Sequence, residues 1–202
     1  MWCFSEGRLR VSGGFCLLLA WFAWASGWRM LVMVLGAAAI HELGHWLVLR
    51  HWGVQTASLR LTIFGAEMVS VSAELSYGKE LSAVLAGPLA NLLWGLLLAG
   101  LGGPWVVPAG ANLVLCVFNL LPVRPLDGGR ALELLVSWAA GPAAGERAAR
   151  WAGAAAALLS AAALWLVMSR SGGSLWLLPA AGGMLAAAMR EICGSALKKD
   201  CF

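Results

Sequence analysis

Residues 30–49 read MLVMVLGAAAIHELGHWLVL, and this run decides the fold. It is about as long as a helix must be to cross the hydrocarbon core of a bilayer. It holds no Lys or Arg, yet it carries His41, Glu42 and His45. Positions four apart on a helix share a face, so both imidazoles can address one ion. Glu42 lies beside them, where it can take a proton from a metal-activated water. Soluble proteins use the HExxH pattern for zinc-dependent peptide hydrolysis. Within a membrane span each such group costs several kcal/mol unless it is used. The trio is therefore expected to be a site rather than a polar cluster that pins helices together.

The rest of the chain agrees that lipid is its solvent. Of 202 residues, 61% are hydrophobic and 12% charged, with a mean hydropathy of +0.80. Soluble domains run nearer 45–50% apolar and about 25% charged. A chain of this size has too little interior to hide so much apolar surface. These figures exclude a soluble enzyme, a disordered linker and a nucleic-acid-binding domain, and no nucleic acid partner is expected. The net charge is +4, but the 14 Lys and Arg are scattered between apolar runs, where they set topology. Twelve Trp against one Tyr suit interfacial anchoring. The five cysteines, Cys3, Cys16, Cys116, Cys193 and Cys201, form no CxxC pair and are odd in number. They make neither a disulfide framework nor a zinc ribbon, and are read as reduced fillers.

Six apolar stretches stand out, at about 14–28, 30–49, 81–101, 105–121, 151–169 and 174–189. With the N-terminus in the cytoplasm, the inner segments hold Arg8, Arg10, Arg50, Arg60, Lys79, Arg124, Arg130, Arg147, Arg150, Arg190, Lys198 and Lys199. The outer loops hold only Arg29 and Arg170, so the positive-inside bias puts both termini in the cytoplasm. Segment 54–76 alternates polar and apolar residues around Gly65 and is expected to form a β-hairpin at the membrane interface. The stretch 140–150, with Gly141-Pro142, is read as a connector. The Ala-rich helices beyond it, about 151–190, are read as scaffold. The expected fold is an all-α polytopic membrane protein of six transmembrane helices, with a small interfacial hairpin between the second and third.

A catalytic zinc needs a third protein ligand and one open position. The best candidate lies in Asn119-Leu-Leu-Pro122-Val-Arg-Pro125-Leu-Asp127-Gly128-Gly129. Pro122 and Pro125 should break the fourth span, and the glycines allow close backbone approach. That leaves Asp127 on broken backbone at the cytoplasmic end of a span. The competing account makes Asp127 a cap for the next helix, beginning near Gly129.

HELGH at 41–45 and NLLPVRPLDGG at 119–129, with Ala86-Gly87-Pro88-Leu89-Ala90-Asn91 between them, resemble the ordered motifs of the site-2 proteases, intramembrane zinc metalloproteases. The resemblance covers about residues 30–135, the expected catalytic core. It is nearest to the bacterial stage IV sporulation protein FB branch, a compact six-helix plan without a PDZ insertion. It implies His41, His45 and Asp127 as ligands of a Zn2+ ion and Glu42 as general acid/base. It also implies Asn119 and Pro122 near substrate, with Asn91 shaping the core around them. Arg124 stands where the family often has an apolar residue. A regulatory nucleotide-binding domain, common in that branch, is not expected after residue 202.

The resemblance thus implies regulated intramembrane proteolysis in a bacterial cytoplasmic membrane. The partners it implies are the lipid bilayer, a membrane-associated substrate such as a pro-sigma or tethered anti-sigma factor, and inhibitory membrane proteins. His45 is five residues before Arg50, some 7–8 Å of helix, so the product should leave on the cytoplasmic side. Two alternatives stand beside this reading. A metal transporter would carry further ionisable residues along its spans, and these spans offer almost none. A catalytically silent scaffold would usually have lost one of His41, Glu42, His45 and Asp127, and all four are present.

Overall fold

The computed structural model describes residues 2–6, 9–62, 65–71, 75–170 and 178–197. Arg8, Ile63, Phe64, Lys198, Lys199, Cys201 and the beginning of the sixth apolar stretch lie outside them. The described chain is mostly helical and divides into two compact units, Met1–Val117 and Phe118–Phe202.

The first unit starts with strands β1 (Trp2–Glu6) and β2 (Leu9–Ser12) and continues into helices α1 (Gly13–Ser26) and α2 (Trp28–His51). Ser12 caps α1, its hydroxyl accepting from the Phe15 amide at 3.2 Å. Gly27, at φ 84°, is the joint between α1 and α2, a backbone conformation that side-chain-bearing residues rarely adopt. Strands β3 (Gln55–Thr62) and β4 (Gly65–Val71) follow, then α3 (Tyr77–Leu101) and α4 (Val106–Asn119). The sheet order is β1-β2-β3-β4. Its outer pairs are antiparallel, while β2 and β3 run parallel, Leu9 opposite Leu59.

The all-α expectation with a two-stranded hairpin is therefore corrected to a helical protein bearing a four-stranded sheet. β3 and β4 fall in the stretch expected to alternate, whereas β1 and β2 come from the first twelve residues. A four-residue strand such as β2 offers only two alternations, too few to register as a pattern.

Three helices, Trp28–His51, Tyr77–Leu101 and Pro142–Arg170, are long and apolar enough to cross a membrane among the described residues. α1 and α4 are apolar but shorter. Leu89, Leu93, Leu96 and Leu97 of α3 are exposed, an arrangement suited to lipid. At the end of α2 the Arg50 guanidinium lies over the Trp46 ring, 5.2 Å from its centroid. At the start of α3 the Lys79 ammonium lies 4.9 Å from the Trp52 centroid, and the Trp52 indole donates to the Ser82 hydroxyl at 3.1 Å. Such pairs of cation and amphipathic ring suit the boundary between lipid and water.

The second unit holds α5 (Asp127–Ala140), α6 (Pro142–Arg170) and α7 (Leu178–Leu197). Its core is built from Val123, Ala157, Ala161, Met184, Ala187 and Ala188, with Phe118, Leu121 and Leu126 packed against it. Residues 142–150, read from sequence as connector, are instead the first turns of α6. Gly141 ends α5 at φ 89°, and Pro142 occupies the first helical position, where its missing N–H costs nothing.

Candidate metal centre

α2 turns Ala37, His41 and Gly44 inward, four and three residues apart, and α3 answers with Ala83, Gly87, Asn91 and Gly95 at intervals of four. Both rows repeat at the helical period, so each is one face. The two helices approach closely because these positions are small. A Cβ placed on Gly44 would meet the Ala86 carbonyl oxygen at 2.6 Å, and one placed on Gly87 would run into the His45 ring. Gly87 is thus the notch that lets the His45 imidazole lie against α3. Pro88, inside α3, is fully buried beside it.

The imidazole pair is held from behind. His45 Nδ1 donates to the Ala83 carbonyl oxygen at 2.7 Å, which leaves a lone pair on Nε2 in the neutral ring. That Nε2 lies 3.1 Å from His41 Nε2, the rings meeting edge to face at 83°. On the far side of His41, Asn91 Nδ2 is 3.3 Å from Nδ1. His41 is 6% exposed and Asn91 fully buried, so these contacts are shielded from bulk water. A metal-binding histidine characteristically has its second nitrogen fixed by a carbonyl, carboxylate or similar partner. The His45–Ala83 bond has that form, and the two converging Nε2 atoms suit a borderline cation such as zinc. Glu42 is half-buried on the same helix, one position from His41.

The second unit places the other expected site residues. Asn119 ends α4 and is half-buried, as is Pro122 in the short link that follows. Asp127 is the first residue of α5, with Leu126 in the capping position, so the competing account of Asp127 as the cap does not describe this helix start. The link is packed tightly. A Cβ on Gly128 would collide with the Leu120 carbonyl, and one on Gly129 would meet Val123 carbonyl carbon at 2.7 Å. A Cβ on Gly153 of α6 would meet the Pro122 carbonyl oxygen at 3.2 Å. Arg124, preceding the cis-linked Pro125, pairs with Glu191 of α7 at 3.5 Å and with Glu133 of α5 at 3.9 Å. It also donates to the Glu146 carbonyl oxygen of α6 at 3.2 Å. The residue that departs from the expected apolar type therefore ties the Asp127 link to three helices.

Residue type and spacing make His41, Glu42, His45 and Asp127 the expected site residues. The Ala83 carbonyl behind His45 is not legible in that pattern, since a backbone acceptor has no residue signature. The spacing of Ala83, Gly87 and Asn91 was the available signal.

An interior of small residues around two imidazoles, in a helical protein with membrane-length spans, defines a candidate metal centre between apolar helices. The profile of peptidase family M50 matches residues 98–163. A Synechocystis protein named as a zinc metalloprotease is 35% identical over 124 residues, covering 56% of this chain and 32% of that protein. The zinc metalloprotease Rip3 of Mycobacterium tuberculosis is 36% identical over 135 residues, 60% of this chain and 33% of that one. The chain thus spans about a third of the length of these curated relatives. The site-2 protease of Methanocaldococcus jannaschii shares the fold, with a TM-score of 0.69 and 24% identity over 95% of this chain and 94% of that one. The chain has the fold of a site-2 protease and is similar in sequence to part of these zinc metalloproteases.

Proposed function

We propose that this protein is an intramembrane zinc endopeptidase that hydrolyses a peptide bond in or beside the membrane-embedded part of another protein. The observation that carries this reading is the pair of Nε2 atoms 3.1 Å apart, one of them fixed by the Ala83 carbonyl from behind. With Asp127 as the third donor that the resemblance implies, His41 and His45 would hold the metal ion, and a catalytic site of this type keeps one position for water and substrate. Zinc, when bound, supplies a Lewis acid that acidifies water and polarises a carbonyl.

The chain's own residues supply the rest. Glu42 accepts the proton of the attacking water and returns it to the leaving amine, so the base of the first step is the acid of the second. Asn119, at the end of α4, offers a carboxamide that can donate to the developing oxyanion. Pro122 removes one backbone donor from the link and shapes it beside the substrate. A substrate helix must unwind locally to expose its carbonyl, since its own hydrogen bonds otherwise shield it.

The finer reading follows from the sequence. Six spans with both termini in the cytoplasm place His45 near the cytoplasmic end of α2, and the product leaves on that side. The resemblance to the stage IV FB branch makes a membrane-associated pro-sigma or tethered anti-sigma factor the proposed substrate. It makes regulated proteolysis in sporulation, with inhibitory membrane proteins as further partners, the proposed setting.

The test is fragment analysis of a tethered substrate with the wild type and Glu42→Gln, both loaded with zinc. Glu42→Gln is expected to keep its metal and lose about 10²–10⁴ in turnover. Normal turnover by the zinc-loaded variant would remove Glu42 from the role.

A further inference from the structure

Asn91 is fully buried, and only one end of its carboxamide is engaged. Nδ2 lies 3.3 Å from His41 Nδ1, while Oδ1 is buried with no hydrogen-bond partner. A buried amide oxygen left unpaired carries its full desolvation cost, so an interior site that keeps one calls for a reason.

The hydrogen-bond order around it supplies the reason. Ala83 can only accept, so His45 carries its proton on Nδ1 and presents a bare Nε2. With Nδ2 of Asn91 donating to His41 Nδ1, the neutral His41 ring must carry its proton on Nε2. That proton then points at His45 Nε2, 3.1 Å away. In this order the face between the two rings is closed by a hydrogen bond. A carboxamide occupies the same volume after a half-turn, with donor and acceptor exchanged. Once turned, Oδ1 accepts from Nδ1–H of His41, and Nε2 of His41 becomes bare like that of His45.

We propose that the Asn91 carboxamide is the positioning group for His41, turning its Oδ1 toward Nδ1 to hold the tautomer in which Nε2 faces the metal. This rests on the metalloprotease reading and deepens it. Each histidine then has a backing acceptor on the same face of α3, a main-chain carbonyl for His45 and a side-chain carbonyl for His41, eight residues apart. The reach differs by design of the helix: Ala83 O serves the ring one turn further along α2, and a side chain is needed to serve the other. Gly87, midway between them, keeps the space open for the His45 ring.

The test uses the full chain in detergent micelles. In wild type carrying 15N-labelled histidine and loaded with zinc, His41 Nδ1 is expected to be protonated and Nε2 metal-bound. Zinc affinity, measured by chelator competition, is expected to fall about 10–100-fold in Asn91→Leu, the size seen when outer-shell partners of ligands are removed. Asn91→Asp, which can only accept, is expected to stay within a few-fold of wild type. Zinc held by a wild type whose His41 Nδ1 is unprotonated would overturn this inference and leave the metalloprotease reading standing. Wild-type affinity in a folded Asn91→Leu would do the same, reducing Asn91 to helix packing. If Asn91→Leu does not fold, the wild-type spectrum decides by itself. A folded wild type that takes up no zinc would overturn the metalloprotease reading and this inference with it.

Discussion

Two helix pairs in this protein use the same packing device for different ends. α2 and α3 meet through Gly44, Ala83 and Gly87, and α6 and α7 meet through Ala157, Ala161, Ala187 and Ala188. Small residues let helices approach closely where hydrophobicity gives no preference between helix and lipid. The α6–α7 pair stops there: its core is wholly apolar. The α2–α3 pair uses its closeness to seat polar groups. Its notches seat two imidazoles, and main-chain and side-chain groups of α3 hold their outer nitrogens. Closeness in one pair gives cohesion, and in the other it gives precision about where nitrogen lone pairs point.

The sharpest way to break that contrast is at Gly87. Gly87→Val fills the notch with atoms that overlap the His45 ring. It is expected to weaken zinc binding by at least 10–100-fold, the scale of lost ligand orientation, and to abolish turnover. Retained zinc affinity, read by chelator competition, would show that the ring does not need this notch. An equivalent enlargement in the other pair should act only on stability. Ala161→Leu overpacks the α6–α7 core and is expected to cost about 1–3 kcal/mol, seen as a lower melting temperature in detergent. Zinc bound per folded molecule should be unchanged, and a parallel loss of metal would erase the distinction between the pairs. The smallest effect is expected at Arg124. Its pairs with Glu133 and Glu191 involve side chains 11–35% exposed. Arg124→Met should cost no more than about 1 kcal/mol and should make stability less sensitive to salt. A loss several times larger would mean that the link depends on this residue far more than its half-exposed position implies.

What could be read from the sequence follows the same division. HELGH and the Asp127 segment declare themselves because ionisable residues inside apolar runs have few other reasons to be there. The turn chemistry of Gly141-Pro142 was visible too, but the charges at Glu146, Arg147 and Arg150 disguised the first turns of α6 as a connector. α5 was not among the apolar stretches because it is amphipathic, carrying Arg130 and Glu133 on its outer side. The strands β1 and β2 were too short to show a period. The Ala83 acceptor was illegible for a different reason. It belongs to the backbone, and its importance exists only once α2 and α3 are packed together.

The central claim is that two imidazoles set by α3, with the Asp127 carboxylate, make a zinc site. It is tested most directly by zinc per chain in detergent-purified protein, wild type beside Asp127→Ala, after loosely bound metal has been stripped. The account predicts about one zinc in the wild type and a marked loss in the variant at equal folded content. Zinc that is absent from well-folded wild type, or indifferent to Asp127→Ala, would contradict it.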